Sequence, residues 1–167
     1  NMNLKFGRKD YLKILDKCVE KAKKPALIHV NGFNDLPTKE EADKYELWNL
    51  MPREKLKEIQ EKDKNGEVIE KFKKGHIDVL FSTTCARGID FPGEECNSIV
   101  FTKYPNPNVQ DTFWKILAKT RPNHYWSFYR DKAKRELWQK VYRGVRFKDD
   151  HVYVLSPDIR VLEAFGG

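Results

Sequence analysis

A chain of 167 residues, 40% hydrophobic and 34% charged, suits one globular domain with a full core and excludes a disordered segment. Its formal charge of +7 favours an anionic partner, nucleic acid or nucleotide first, although a modest lysine excess also serves plain solubility. Scattered Cys18, Cys85 and Cys96 and isolated His29, His76, His124 and His151 exclude a disulfide framework and a sequence-local metal site, and no apolar run or leader marks a membrane protein. A reducing, cytoplasmic location is expected, nuclear in a eukaryote. Asn1 ahead of Met2 reads as a vector remnant, so a piece of a longer protein is expected.

In chain order, residues 9–23 carry Leu12, Leu15, Cys18, Val19 and Ala22 at helical spacing, on a basic stretch that reads as one solvated and one buried face. Ala26-Leu27-Ile28-His29-Val30 is a strand introduced by Pro25 and stopped by Asn31-Gly32. A helix over 38–45 starts at Thr38 with Glu41 three positions on, a capping-box pattern. Glu46-Leu47-Trp48-Asn49-Leu50 is a weaker strand candidate. Helices follow over 52–63, opened by Pro52, and over 68–74 after Gly66. Gly75 precedes a strand over 77–82, and Ser98-Ile99-Val100-Phe101-Thr102 is the next. Helices over 111–119 and 128–146 and a strand over 151–155, closed by Pro157, complete the order. Continuous rather than alternating hydrophobicity means strands covered on both faces, and the alternation of strand and helix predicts a parallel sheet with right-handed crossovers. Ligands gather at the carboxyl ends of such strands.

Two stretches carry candidate chemistry. On a helix over 128–146, Gln139, Arg143 and Arg146 fall within roughly 60° of one another, while Tyr129, Ala133, Leu137, Val141 and Val145 line another flank. Two fixed guanidinium forks suit a polyphosphate, since they are always charged and bind bidentately. Lys132, Arg135 and Glu136 on the same side fit an ordinary solvated face equally well. The strand over 77–82 runs into Ser82-Thr83-Thr84-Cys85-Ala86-Arg87-Gly88-Ile89-Asp90. Small hydroxyls there can donate to a phosphate, Gly88 permits close backbone approach, and Asp90 can accept from ribose hydroxyls. Helix caps, a turn and an Arg87–Asp90 pair are the structural alternatives. Trp114, His124, Tyr125, Trp126, Phe128 and Tyr129 surround Arg121 and Arg130, either as core aromatics or as a stacking surface for bases.

Ser82-Thr-Thr-Cys-Ala-Arg-Gly-Ile-Asp90 resembles motif V of superfamily 2 helicases, and Gln139-x-x-Tyr-Arg143-x-x-Arg146 is similar to their motif VI, about 50 residues on. Pro92-Gly93-Glu94, Lys103-Tyr104-Pro105-Asn106-Pro107 and Asp149-Asp150 look most like the XPD/DinG branch. The likeness covers about residues 25–165, departing from the pattern at Tyr142, where the family has glycine.

The resemblance implies a second, C-terminal RecA-like domain (P-loop NTPase-like): a three-layer α/β domain with a mainly parallel sheet of about five strands flanked by helices. One domain over 1–167 is expected, with an N-terminal helix over 1–24 and a RecA-like core over 25–165. It further implies an ATP-dependent DNA helicase, DNA preferred over RNA, whose ATP and Mg²⁺ are held mainly by an N-terminal RecA-like domain of the same protein. Arg143 and Arg146 would contact the triphosphate as arginine fingers, and Gln139 would place the nucleotide or the attacking water. Arg87, Gly88 and Asp90 would line the nucleotide's ribose edge; Ser82, Thr83, Asn31 and Gly32 would face the nucleic-acid backbone. The chain carries no G-x-x-x-x-G-K-[ST] and no magnesium-holding Asp-Glu pair of the helicase type, so it is expected to hydrolyse ATP negligibly in isolation. The competing class is a non-catalytic nucleic-acid or partner-binding module with a helicase-like fold. A free-standing phosphatase or nucleotide transferase would need its own phosphate loop or metal carboxylates.

Overall fold

The computed structural model describes residues 7–83, 96–103, 145–146, 153–158 and 160–161. Helix α1 (Arg8–Lys21) turns Leu12, Ile14, Leu15, Cys18 and Val19 inward, while Asp10 in its first turn and Lys21 in its last complement the helix dipole. Strand β1 (Ala26–His29) is buried along its whole length. A single 3₁₀ turn (Phe33–Asp35) leads towards α2 (Lys39–Lys44). At the start of α2 the capping box forms as expected: Glu41 N–H donates to Thr38 Oγ1 at 3.1 Å and Thr38 N–H donates to Glu41 Oε1 at 3.0 Å. Helix α3 (Arg53–Lys62) follows Pro52, and its Leu56 enters the core. Gly66, at φ 72°, makes the left-handed turn into α4 (Glu67–Lys73), where the Asp63 carboxylate accepts from Glu67 N–H at 2.7 Å and Val68 N–H at 3.0 Å. Gly75, at φ 82°, makes the turn that follows α4.

The strands β2 (Val79–Ser82), β3 (Ser98–Phe101), β4 (Val145–Arg146) and β5 (Tyr153–Leu155) join β1 in one five-stranded sheet ordered β2-β1-β3-β5-β4. The pairs β1–β2, β1–β3 and β3–β5 are parallel, and β4 pairs antiparallel with β5. Side chains alternate across the sheet. Ala26, Ile28, Val30, Phe81, Val100 and Leu155 pack with α1, Leu36, Ala42, Leu47, Leu50 and Leu56 into one cluster. Leu27, Leu80, Ile99 and Phe101, on the opposite face, are buried as well but stand outside that cluster. Both faces of these strands are therefore dry, as their unbroken hydrophobicity requires. The helix expected over 111–119, and residues 128–144 of the helix expected over 128–146, lie outside the described residues.

Two expectations fail locally. Residues 46–50 do not form a strand: Glu46 adopts φ 58°, a left-handed conformation no strand accommodates, and the segment turns so that Leu47 and Leu50 enter the core. Val145 and Arg146 are strand, not the end of a helix over 128–146, and register with Val154 and Tyr153. The sequence continues the helical apolar period to Val145 past Gly144, a poor helix former, whereas β-branched Val145 suits a sheet edge. A single helical face holding Gln139, Arg143 and Arg146 is thereby excluded at Arg146.

Candidate functional site

The strand order fixes where a ligand can sit. Chain leaving β1 goes on to β2 on one side, and chain leaving β3 goes on to β4 and then β5 on the other. The connections diverge above the carboxyl ends of β1 and β3, the switch point at which open parallel sheets bind ligands. There Asn31 N–H donates to Thr102 Oγ1 at 2.9 Å, and the Thr102 hydroxyl donates to Asp35 Oδ2 at 2.9 Å. Gly32 N–H donates to the same carboxylate oxygen at 3.2 Å, and Lys103 Nζ lies 3.0 Å from Asp35 Oδ1. Asp35 is 4% exposed and Lys103 is half exposed, so the web has a buried anion at its root and a cation at its rim. Tyr11 Oη, from α1, donates to Thr102 O at 2.8 Å, and burial pushes that phenol's pKa well up. Ser156 Oγ, following β5, donates to Phe101 O at 2.7 Å and extends the web to the next strand.

Two arginines hold the loop beyond Gly32. Arg8 of α1 donates to Asn34 O at 3.0 Å and Leu36 O at 3.1 Å, and its Nε donates to Glu41 Oε2 at 2.8 Å. Arg53 of α3 donates to Leu36 O at 2.9 Å and Asn34 Oδ1 at 3.1 Å. The Arg8 hydrogen bond is the main cause holding the Glu41 carboxyl down to about 2.

His29 ends β1 on the opposite face from the core cluster, edge-on to Phe101 with ring centroids 5.6 Å apart. It is 1% exposed, and neither ring nitrogen has a hydrogen-bond partner among the described residues. Burial pushes its pKa down to about 4, with Asp35 opposing, so the imidazole is neutral at pH 7. Buried Cys18 and Cys96 have thiols pushed up by burial, Cys96 to about 11, which makes them packing residues.

Of the residues singled out in the sequence, the structure brings Asn31, Gly32, Ser82 and Thr83 to one edge. His29 registers with Ser82, and Val30 N–H donates to Ser82 O at 2.9 Å. Ser82 is buried, whereas Thr83 is partly exposed beyond it. Gly32 has φ −160°, open to any residue, and an added Cβ would meet nothing within 4 Å. Arg146 has its backbone in β4. Gln139, Arg143, Arg87, Gly88 and Asp90 lie outside the described residues. Asp35, Thr102, Arg8, Arg53 and Gln60 carry the geometry of this edge yet belong to none of the motifs read in the sequence. Only Asp35 has a local signal, the N3 position of a capping box that begins at Gly32; the others act across long chain separations.

A mainly parallel α/β sheet with its polar residues collected at a carboxyl-edge switch point is the RecA-like architecture. The chain belongs to the helicase C-terminal domain family, matching it over residues 15–165. No curated protein and no solved structure matches it. Family membership makes its function helicase-related, and nucleic-acid interaction comes with that class. Among the described residues no helix is long and apolar enough to cross a membrane.

Proposed function

We propose that the chain, as one domain over 1–167, is the second motor domain of an ATP-dependent DNA helicase of the XPD/DinG branch of superfamily 2. The observation that carries this reading is the meeting of two sequence-distant segments, Asn31–Gly32 and Ser82–Thr83, at one carboxyl edge within a chain of the helicase C-terminal domain family. In this reading Asn31, Gly32, Ser82 and Thr83 face the phosphates of the tracked strand. The open space at Gly32 supports close approach of a phosphate to the backbone. Lys103 adds a positive charge at the rim of the same crevice.

Arg143 and Arg146 reach the triphosphate across a cleft shared with the N-terminal RecA-like domain of the same protein, stabilising charge on the transferring γ-phosphoryl. Gln139 places the nucleotide or the attacking water, and Arg87, Gly88 and Asp90 line its ribose edge. In this reading Arg146 acts from the β4 backbone. ATP and Mg²⁺ are, in the same reading, held mainly by the N-terminal RecA-like domain; among the described residues no group of His, Cys, Asp or Glu could hold a metal ion.

The test is Arg143→Ala in the full-length protein. ATP turnover should fall by about 10³-fold or more, the scale of a lost arginine finger, while single-stranded DNA binding holds. Turnover near the wild-type rate overturns the finger assignment and leaves a non-catalytic nucleic-acid-binding module as the better account.

A further inference from the structure

Gln60 lies near the end of α3, 23 residues before Thr83, in no motif and with no charge to mark it. Its carboxamide nonetheless grips Thr83 at two points. Thr83 N–H donates to Gln60 Oε1 at 3.1 Å, and Gln60 Nε2 donates to Thr83 Oγ1 at 3.0 Å. The backbone donor settles which end of the amide is oxygen, because only Oε1 can accept from it. That leaves Nε2 facing the hydroxyl. Among the described residues, the polar contacts of the Thr83 hydroxyl all go to this one side chain.

We propose that Gln60 is a positioning residue that orients the Thr83 hydroxyl as a donor to a nucleic-acid phosphate. A hydroxyl has one proton and two lone pairs. With Nε2 donating to one lone pair, the proton remains available outward, and a hydroxyl that accepts one hydrogen bond donates a stronger one. The hydroxyl also lies 3.2 Å from Oε1, a second position in which it donates inward when no strand is present. Rotation about one bond then exchanges a protein acceptor for a phosphate oxygen, with the main chain of Thr83 held throughout. β2 is the edge strand of the sheet, and a cavity of about 250 Å³ between it and the α3–α4 junction leaves Gln60 as the bridge between helix and strand exit. The proposal rests on the reading of Thr83 as a strand contact.

The experiment uses the full-length protein and a homopolymeric single-stranded DNA oligonucleotide, and reads the DNA concentration that half-saturates ATP turnover, separately from turnover at saturation. Gln60→Leu should raise the half-saturating concentration about fivefold, the worth of one modest hydrogen bond, with turnover at saturation little changed. Thr83→Val should raise it by a similar factor, and the double variant no further, since Gln60 acts through Thr83. Gln60→Glu keeps an acceptor for the Thr83 N–H but draws the hydroxyl proton inward, so it should raise the half-saturating concentration while leaving the thermal midpoint in place. A rise with Thr83→Val but none with Gln60→Leu or Gln60→Glu overturns the role of Gln60 alone. Effects that multiply to about 25-fold in the double variant also overturn it, because independent contacts would do so. No rise with Thr83→Val overturns the strand contact itself and this inference with it.

Discussion

The exits of β1 and β2 lie side by side at the same edge, and they are built in opposite ways. Beyond β1, the Gly32 N–H, the Thr102 hydroxyl (itself accepting from Asn31 N–H) and Lys103 converge on Asp35, and two arginines converge on the carbonyls of Asn34 and Leu36. Beyond β2, Thr83 is held by one neutral amide. Buried, charge-assisted and mutually connected bonds make a scaffold, whereas a single neutral contact near the surface can exchange its partner at small cost. If the edge tracks a nucleic-acid strand as proposed, the β1 exit is its fixed reference and the β2 exit the contact that can let go.

The largest expected effect comes from removing the root of the scaffold. Asp35→Ala strands the Thr102 hydroxyl, the Gly32 N–H and the Lys103 ammonium that it now accepts from or neutralises. Stability should fall by about 3 kcal/mol, or roughly 6–12 °C in thermal midpoint. Gln60→Leu should lose only about 1 kcal/mol, both variants being measured by urea unfolding. Equal losses at the two positions would erase the distinction between scaffold and adjustable contact.

The next effect tests the far face of the β1 exit. His29 has a folded pKa pushed down to about 4, below its ordinary 6.5, so the unfolded chain takes up a proton more readily than the folded one. Stability from this group is complete above pH 6.5, is lost as pH falls from 6.5 towards 4, and changes no further below 4. The loss is at most about 3 kcal/mol over that window. His29→Phe, which keeps a ring against Phe101, should flatten the curve there. A Phe variant with the same acid slope as the wild type would show that the imidazole gains a partner in solution and titrates normally.

How far the sequence foretold these two exits follows from the range of the forces involved. Strand positions were legible because Ala26–His29, Val79–Ser82 and Ser98–Phe101 are short apolar runs bounded by Pro, Gly or Asn, and burial on both faces demands such runs. The Thr38–Glu41 capping box was legible because its partners are three residues apart. The turn at 46–50 was not, since a left-handed Glu46 is imposed by burying Leu47 and Leu50 rather than by local preference. Val145–Arg146 was misread because pairing with β5 overrides a helical period carried past Gly144. At the site, Asn31, Gly32, Ser82 and Thr83 could be placed at strand ends from punctuation alone. Gln60, Thr102, Arg8 and Arg53 could not, because a contact across 17 to 71 residues leaves no periodic trace in a single sequence.

The smallest effects should come from the two arginines taken singly. Arg8 and Arg53 both donate to Leu36 O and both reach Asn34, so either one leaves those carbonyls satisfied when the other is lost. Arg8→Met removes in addition the main cause of the low Glu41 pKa. A depressed carboxylate contributes stability that is present above its ordinary 4.5 and is lost as pH falls towards about 2, so the Arg8 variant should lose part of that acid-sensitive stability. Because the Arg8–Glu41 pair is partly exposed, solvent screening holds that part to a few tenths of a kcal/mol. Each single Met variant should therefore cost under about 1 kcal/mol. The double variant leaves Leu36 O, a buried carbonyl, without either guanidinium, and should cost at least about 1 kcal/mol more than the sum. Additive losses in urea unfolding would mean that the arginines act separately, on Glu41 and on Asn34. The β1 exit would then be a set of independent contacts, and its contrast with the single amide at the β2 exit would be one of number rather than of connectivity.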